Sequence, residues 1–574
     1  MPSPERIDGY LPLRDYALVG DGRTSALVGR DCSIDWMCLP NADSPPVFDR
    51  LLDARDGGCF ELAPDEPYTA VRRYRASTNV LETTFTTSSG SVRVTDAMTR
   101  GEEPRTENDQ RELVRIVTGR EGSVPMRWRF EPRFDFGRGA VPDELTLHSW
   151  GAGDGAFELA AGEGATFVLT WGPTSVDRDA AEQRLERTSA FWMDWASRAV
   201  YDGPWRDEVV RSALVLKLLA FEPTGAIVAA PTTSLPERLG GELNWDYRFS
   251  WLRDGIYTMR ALLSLGYREE AEAFFRWQMD ATRPDGAEVK PLYCIDGSAR
   301  ADEDELGLPG YRGSRPVRVG NAATAQLQLD NYGHLLESAS RLRAQTGALG
   351  PEVGGQLAGF ADFVAERWRE PDAGIWEVRD GLQDFVQSKA MCWTALDRAA
   401  KLAEAGAVPD RGTEWRAAAD AVREWIEGEG WDEERQTYRR ASKLGGETDA
   451  SLLTLALCAY SASTEPRFAA TIERVRCELD AGGPLLYRTS GAPEIEGAFL
   501  ACSFWLVDAL GRARRLEEGE ALMAELVAVA NDVGLYSEEV DPETGDFLGN
   551  FPQALVHLAL VNAAVSLAGA DAED

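Results

Sequence analysis

A change in hydrophobic period near residue 180 constrains the fold of this chain more than any other feature. Before it, short runs rich in β-branched and aromatic residues are separated by Gly, Asp and Pro, a pattern typical of antiparallel strands. After it, apolar residues recur at helical spacing in one segment after another. We therefore predict a β-sandwich followed by an all-helical domain. The clearest strand-like runs are 25–29, 32–37, 83–87, 92–95 and 166–171.

The helical part divides into two kinds of segment. Residues 362–368 are amphipathic and suit an outer layer, whereas 498–506 are apolar nearly all round and suit an inner layer. Six such pairs would close into an (α/α)6 toroid. We predict a sandwich over 1–178, a helical linker over 179–203 and the helical barrel over 204–570. The helical patterns lie at 207–222, 254–266, 269–282, 322–346, 353–369, 386–404, 412–427, 449–460, 465–479, 497–512, 516–531 and 553–569.

Composition excludes several classes of partner. A net charge of −35 argues against nucleic acid and against an anionic membrane, because a polyanion would be repelled. The start of the chain lacks the apolar core of a signal peptide, and no stretch approaches ~20 consecutive apolar residues. The expected location is therefore the cytoplasm. The oligomeric state stays open.

Metal and histidine chemistry are also poor fits to the sequence. The chain has 3 histidines, and His557 lies in an apolar run where a core histidine is the more common case. Its 8 cysteines show no metal-ligand spacing and are expected to be free thiols, most of them buried. We predict no metal site.

Two glutamate-bearing loops point to carbohydrate chemistry. Glu377 follows Trp376 in the long connection 370–385, and Glu538 and Glu539 follow an aromatic residue in 532–552. Sugar cleavage needs one protonated acid and one ionised base, and burial against Trp376 would keep Glu377 protonated. Adjacent residues of an extended segment point to opposite sides, so one of Glu538 and Glu539 should face the pocket. The residues themselves do not choose between them.

The segment 244–254 has the composition of a sugar pocket. It places four large aromatic residues among two arginines and two aspartates, just before a helix. Aromatic faces stack on the C–H face of a pyranose, while guanidinium and carboxylate groups bind its hydroxyls. The alternative is structural: Asp254 would cap the following helix and Arg253 would pair with it.

These motifs resemble glycoside hydrolase family 15, the glucoamylase and bacterial trehalase family, in its bacterial two-domain form. The matching segments run from end to end of the chain: 8–22, 244–254, 374–379, 387–391, 496–500 and 549–553. The resemblance implies an amino-terminal β-sandwich joined to an (α/α)6 barrel. It also implies exo-acting hydrolysis of a terminal α-glucosyl unit with inversion, which releases β-glucose.

The resemblance assigns roles residue by residue. Glu377 is implied as the general acid and Glu538, rather than Glu539, as the base. Such a mechanism requires no cofactor, because two carboxyl groups and water suffice. The substrate-binding residues that it implies are Arg253 and Asp254 on the sugar hydroxyls, Trp251 as a wall, Tyr247 near the attacking water, and Trp376, Lys389, Arg488 and Arg318 elsewhere in the pocket.

The substrate and two rival functions remain open at this point. The tryptophan that fungal glucoamylases carry before their Arg-Pro pair is replaced by 312–314, which favours a small α-glucoside over starch. Trehalose, isomaltose and maltooligosaccharides are not separated, because the contacts that would discriminate them lie in loops such as 297–304. The alternatives are a disaccharide phosphorylase, which would not need Glu538, and a non-catalytic sugar-binding protein.

Overall fold

A computed structural model describes residues 4–100, 111–172, 176–379, 381–443, 446–458, 460 and 465–569. Within these ranges, the amino-terminal domain is one continuous antiparallel sheet with the strand order β1-β2-β3-β5-β9-β8-β7-β6, to which β4, β10, β11 and β12 add at the sides. Its strands are β1 (Tyr16–Gly20), β2 (Ser25–Gly29), β3 (Ile34–Cys38), β4 (Pro46–Phe48), β5 (Cys59–Pro64), β6 (Tyr68–Tyr74), β7 (Leu81–Thr87), β8 (Gly90–Met98), β9 (Arg111–Glu131), β10 (Leu145–Trp150), β11 (Ala156–Ala160) and β12 (Gly164–Trp171).

The long strand β9 folds this sheet into two layers. Its first half pairs with β8 and β12, and its second half pairs with β5 and β11. The layers meet through aromatic side chains: the Phe167 ring lies 5.7 Å from that of Phe60 and 5.4 Å from that of Trp128. The predicted sandwich is confirmed, and each of the five strand-like runs overlaps a strand.

The remainder of the chain is helical. Helix α1 lies where the linker is predicted; Arg184 binds Glu112 of the sandwich, and Trp195 Nε1 donates to Glu270 of the barrel at 2.6 Å. We propose 179–203 as the linker between the two domains. The α-helices among the described residues are α1 (Arg178–Ser197), α2 (Arg206–Leu219), α3 (Gly255–Ser264), α4 (Arg268–Thr282), α5 (Asp330–Thr346), α6 (Pro351–Arg367), α7 (Val386–Glu404), α8 (Gly412–Gly428), α9 (Pro466–Glu478), α10 (Leu500–Arg512), α11 (Leu516–Val527) and α12 (Ala554–Leu567).

The barrel is a closed double ring. In the part of the chain that is described, the inner ring runs α3, α5, α7, a 3-10 helix over Ala450–Leu455, α10 and α12, and it closes where α12 contacts α3. Helices α4, α6, α8, α9, α11 and α2 lie outside. Every residue of α12 is buried, whereas α6 buries one face only. The predicted (α/α)6 toroid and its two kinds of helix are confirmed.

Two predicted helices depart most from their expected bounds, for local reasons. In 449–460 the α-helix is replaced by the 3-10 helix Ala450–Leu455, where the Thr454 hydroxyl donates back to Ser451 O at 2.7 Å. In 322–346 a 3-10 helix covers Ala322–Ala325, and α5 begins only at Asp330. The side chain of Gln326, between them, donates to Glu377 O at 3.1 Å, so the break in the helix allows a contact with the loop that carries Glu377.

Short hairpins occupy the loops between the helices. They are β13 (Ala220–Phe221) with β14 (Ala226–Ile227), β15 (Thr233–Pro236) with β16 (Asn244–Asp246), β17 (Ser250–Trp251) with β18 (Leu292–Tyr293), β19 (Asp304–Leu306) with β20 (Val317–Val319), β21 (Trp431–Asp432) with β22 (Thr437–Tyr438), β23 (Asp480–Gly482) with β24 (Leu485–Leu486), and β25 (Ala498–Phe499) with β26 (Glu539–Val540) and β27 (Phe547–Leu548). Among the described helices, none has the length and apolar character needed to cross a membrane.

Candidate active site

Two glutamates from distant loops lie at the two ends of one aromatic pair. Trp251 Nε1 donates to Glu377 Oε1 at 2.6 Å, and Tyr247 OH donates to Glu538 Oε1 at 2.7 Å. The Tyr247 and Trp251 rings are themselves in edge contact, with centroids 5.4 Å apart. The segment 244–254 therefore forms the bridge between the two carboxyl groups, and barrel closure brings both to it.

Glu377 is held firmly through one oxygen. Its Oε1 accepts from Arg253 at 3.1 Å and from Gln328 Nε2 at 3.4 Å, in addition to Trp251. Its backbone has φ = +56°, a strained conformation for a residue with a side chain, and Gln326 binds its carbonyl. Its Oε2 has no protein partner among the described residues. One carboxylate oxygen is thus fixed and the other is open.

The aromatic neighbour of Glu377 differs from the one predicted. Trp376 makes its contacts with other residues: its ring contacts Phe499 at 5.7 Å and Trp505 at 5.9 Å, and its Nε1 donates to Asp449 at 2.8 Å. Trp251 contacts the Glu377 carboxyl instead. Consecutive side chains diverge at the positive φ of Glu377, a backbone feature that a sequence pattern does not reveal.

Glu538 lies in a fully buried polar pocket. Besides Tyr247, its Oε1 accepts from Gln553 Nε2 at 3.2 Å, and its Oε2 accepts from the Asn550 amide at 3.3 Å. Burial raises the pKa of Glu538 to about 7, although the Tyr247 hydrogen bond and the charge of Arg488 oppose the shift. A carboxylate with this pKa can accept a proton efficiently near neutral pH.

Glu539 points the opposite way, as expected for adjacent residues in a strand. Its Oε2 accepts from the Gly497 amide at 2.8 Å, and its Oε1 has no partner in the described part of the chain. Carboxylate oxygens of Glu237, Glu496 and Glu539 lie within 4.8 Å of one another, a spacing that a metal ion could bridge. Burial and the neighbouring carboxylates raise the pKa of Glu539 well above its ordinary value.

Arg488 supplies positive charge to this group of carboxylates. Its Nε donates to Glu496 at 2.9 Å and its Nη2 donates to Glu237 at 3.1 Å. The guanidinium also lies 5.3 Å from the Trp376 ring centroid. Burial raises the pKa of Glu237 to about 8 in spite of Arg488. Nη1 of Arg488 has no hydrogen-bond partner among the described residues, so this nitrogen is available to donate to a bound molecule.

Arg253 and Asp254 lie beside Glu377. Arg253 Nη1 donates to Ile375 O at 2.5 Å as well as to Glu377, and its Nε lies 3.6 Å from Asp254 Oδ1. The Asp254 side chain does not cap α3, because it makes no hydrogen bond to the first turn. Burial raises the pKa of Asp254 to about 6. The capping alternative thus fails, although the ion pair that it assumed is present.

Arg318 and Lys389 lie further from the glutamate pair. Arg318 donates to Glu242 O at 2.9 Å and to Asn244 O at 3.0 Å, with its guanidinium 4.4 Å from the Trp245 ring centroid. Lys389 is buried and donates to Glu370 O at 2.5 Å. The structure brings Arg318 to the border of the 244–254 segment, whereas Lys389 supports the loop that leads to Glu377.

Four site residues were missed by sequence reasoning. Gln553 and Glu496 lie in segments that carry the family resemblance, so those segments held a signal for them. Glu237 follows strand β15 and Gln328 precedes α5, and neither has a local pattern that separates it from an ordinary loop residue. Their roles arise only from the way in which the barrel closes.

A sandwich joined to an (α/α)6 barrel, with one buried glutamate (Glu538) and one half-buried glutamate (Glu377) among aromatic residues and arginines, fits a glycoside hydrolase. The chain belongs to the glycosyl hydrolases family 15: the model of that family matches residues 203–565, and the model of the trehalase-like N-terminal domain matches residues 9–151. It is therefore an O-glycosyl hydrolase, and the resemblance found in the sequence is confirmed.

Individual proteins agree with this assignment. The chain is 35% identical to a trehalase of Mycolicibacterium smegmatis over 98% of its own length and 92% of the relative's. It is 33% identical to a trehalase of Thermoplasma volcanium, over 98% and 94% of the two chains. A bacterial glucoamylase complexed with acarbose has the same fold, with a TM-score of 0.69 and 14% identity over 99% of this chain and 97% of the other.

Proposed function

We propose that the chain is an inverting, exo-acting hydrolase of trehalose, with Glu377 as general acid and Glu538 as general base. The observation that best supports this proposal is the contact of the neighbouring Trp251 and Tyr247 side chains with the two glutamates: Trp251 binds Glu377 and Tyr247 binds Glu538. Both relatives described above are named trehalases and align along almost the whole chain, which favours trehalose over isomaltose and maltooligosaccharides. Trehalose is one of the three kinds of substrate that the sequence left open.

The base assignment follows from the contacts of Glu538. A water molecule that gives its proton to this carboxylate attacks the anomeric carbon from the β face, while the bond to the leaving oxygen breaks. The pKa of Glu538, about 7, favours proton transfer at neutral pH. Burial raises the pKa of Tyr247 well above its usual range, so its hydroxyl stays protonated. This hydroxyl donates a hydrogen bond to Glu538 and so orients the carboxylate.

The acid assignment follows from the open oxygen of Glu377. Trp251, Arg253 and Gln328 all donate to Oε1, so a proton on this carboxyl must reside on Oε2. Oε2 then delivers that proton to the glycosidic oxygen as the leaving glucose departs. An inverting pair should stand ~6.5–9.5 Å apart, with space for one water.

Sugar contacts are proposed from the donors that remain. The free edges of Arg253 and Arg488 and the Asp254 carboxylate would bind hydroxyls of the glucose unit whose anomeric carbon water attacks, with Trp251 and Trp376 as walls. Arg318 lies on the side of loop 297–304, where we expect the leaving glucose. We propose no sugar contact for Lys389.

Variants of the three glutamates test the proposal. Glu377→Gln and Glu538→Gln should each lower kcat on trehalose by ~10²–10⁴-fold with the fold retained. Glu539→Gln is the matched control: Glu539 points to the opposite side of the strand from Glu538, and an amide oxygen can still accept from Gly497, so most activity should be retained.

A substrate with a good leaving group separates the two roles. α-Glucosyl fluoride needs no proton from an acid, so Glu377→Gln should recover much of its rate on it, whereas Glu538→Gln should not. Full activity of Glu538→Gln beside an inactive Glu539→Gln would overturn the base assignment. Turnover that depends on added phosphate would indicate a phosphorylase, and faster hydrolysis of isomaltose or maltotriose would replace trehalose as the substrate.

A further inference from the structure

The amino-terminal segment 8–22 carries part of the family resemblance, yet it contains none of the residues assigned to catalysis. Its Arg14 side chain leaves the sandwich and reaches the barrel. Nη1 donates to Val529 O at 3.1 Å, Nη2 donates to Gly545 O at 2.9 Å, and the guanidinium carbon lies 4.2 Å from the Phe547 ring centroid. We call residues 529–550 the base loop, because Glu538 lies within it. Arg14 binds this loop near its beginning and near its end.

The beginning of the base loop has further anchors in the sandwich. Asn531 Nδ2 donates to Tyr16 O at 2.8 Å, while its Oδ1 accepts from the Val533 and Leu535 amides. Arg72 of β6 binds Asp532 through two nitrogens, with contacts of 2.7 to 3.1 Å. The Arg72 side chain is wholly buried. A bidentate ion pair whose arginine is buried fixes geometry well.

Short connections carry these anchors to the base itself. Phe547, under Arg14, is paired with Val540 across the β26–β27 hairpin, and the next pair in register is Leu548 with Glu539. The amide of Glu538 then donates to Asn550 O at 3.2 Å. A displacement of Phe547 or of Asn531 would therefore also displace Glu538, because only a short stretch of chain or two hairpin pairs separate them.

We propose that Arg14 is a positioning residue for the general base, and that the sandwich domain takes part in catalysis by holding both arms of the base loop. The proposal rests on the proposed function, in which Glu538 is that base. Catalytic groups must be held within ~0.5 Å of the productive geometry, which a 22-residue loop does not achieve without outside support. Arg14 acts through Glu538 and does not itself contact the substrate.

A double-mutant cycle tests this inference. We expect Arg14→Ala to lower kcat on trehalose and on α-glucosyl fluoride by a similar factor of ~10–10²-fold, with little change in KM. Arg14→Lys keeps a cation over Phe547 and should recover part of the loss. In a Glu538→Gln background, Arg14→Ala should cost no further activity, because the group that it positions is already absent.

Tyr10→Phe is the matched control. Tyr10 OH donates from the sandwich to Gly310 O at 2.9 Å and does not contact the base loop, so its loss should leave kcat unchanged. Equal kcat losses from Arg14→Ala in both backgrounds, or a lower melting temperature with unchanged kcat, would overturn the inference. If Arg14→Ala does not fold, Arg14→Lys serves in the same cycle. Full activity of Glu538→Gln alone would instead refute the proposed function.

Discussion

Within the base loop, the lack of a side chain at Gly549 allows its backbone to lie close to Glu538. The variant Gly549→Ala therefore tests how precisely the Glu538 carboxylate must be placed. A Cβ atom at this position would lie 2.5 Å from Glu538 Oε2 and 2.6 Å from Glu538 Cβ. Restoring ordinary van der Waals contact requires a displacement of about 0.9 Å. A misplacement of ~1 Å at a reacting group costs ~10²-fold in rate, so kcat on trehalose should fall by about that factor.

The backbone strain of this substitution can be measured separately. Gly549 has φ = +69°, and an L-residue there costs roughly 1–2 kcal/mol of stability. Gly545 lies in the same loop with φ = +74°, and a Cβ atom there would meet nothing within 4 Å. Gly545→Ala should therefore show the backbone cost alone in thermal melting and keep its kcat, whereas Gly549→Ala should melt lower still because of its contact with Glu538. Equal kcat values for the two variants would refute the close placement of Glu538.

Two further predictions concern pH and the acid side of the site. Because the base must be ionised and its pKa is about 7, kcat/KM should rise with pH through about 7, and Tyr247→Phe, which removes a hydrogen bond that lowers the pKa of Glu538, should move this limb to higher pH. A kcat/KM that stays flat from roughly pH 5.5 to 8, a range that brackets the pKa of about 7, would contradict the assignment of Glu538 as the base. Arg253→Lys loses the Nη1 group that donates to both Ile375 O and Glu377, so kcat/KM should fall by roughly 10–10²-fold, and steady-state kinetics that match the parent enzyme would remove Arg253 from the site.

The fold was largely readable from the sequence because period is a local property. In strand runs such as 166–171 and in the nearly all-apolar segment 498–506, the pattern of a few consecutive residues is enough to predict the structure. The bounds of two helices were predicted wrongly at places where a side chain makes a hydrogen bond that competes with regular helix. These are the Thr454 hydroxyl bond to Ser451 O and the Gln326 bond to Glu377 O. Those competitors depend on tertiary neighbours, which hydrophobic spacing does not encode.

The site was only partly readable. Family motifs selected Glu377 and Glu538 as the proposed acid and base, and these assignments stay predictions, but the indole that donates to Glu377 was expected to be Trp376 and is Trp251. Sequence proximity favoured the first, whereas the positive φ of Glu377 and the closure of the barrel select the second. Glu237, which belongs to the carboxylate group around Arg488, has no sequence neighbour that reveals its burial beside three other glutamates.

The stereochemistry of trehalose hydrolysis tests the central claim most directly. Both anomeric carbons of trehalose are α, and the leaving glucose keeps its configuration while an inverting enzyme converts the other. Proton NMR in the first minutes, before the anomers equilibrate, should therefore show equal amounts of β-glucose and α-glucose. Initial formation of α-glucose alone would mean retention at the anomeric carbon and would contradict a mechanism in which Glu538 activates water.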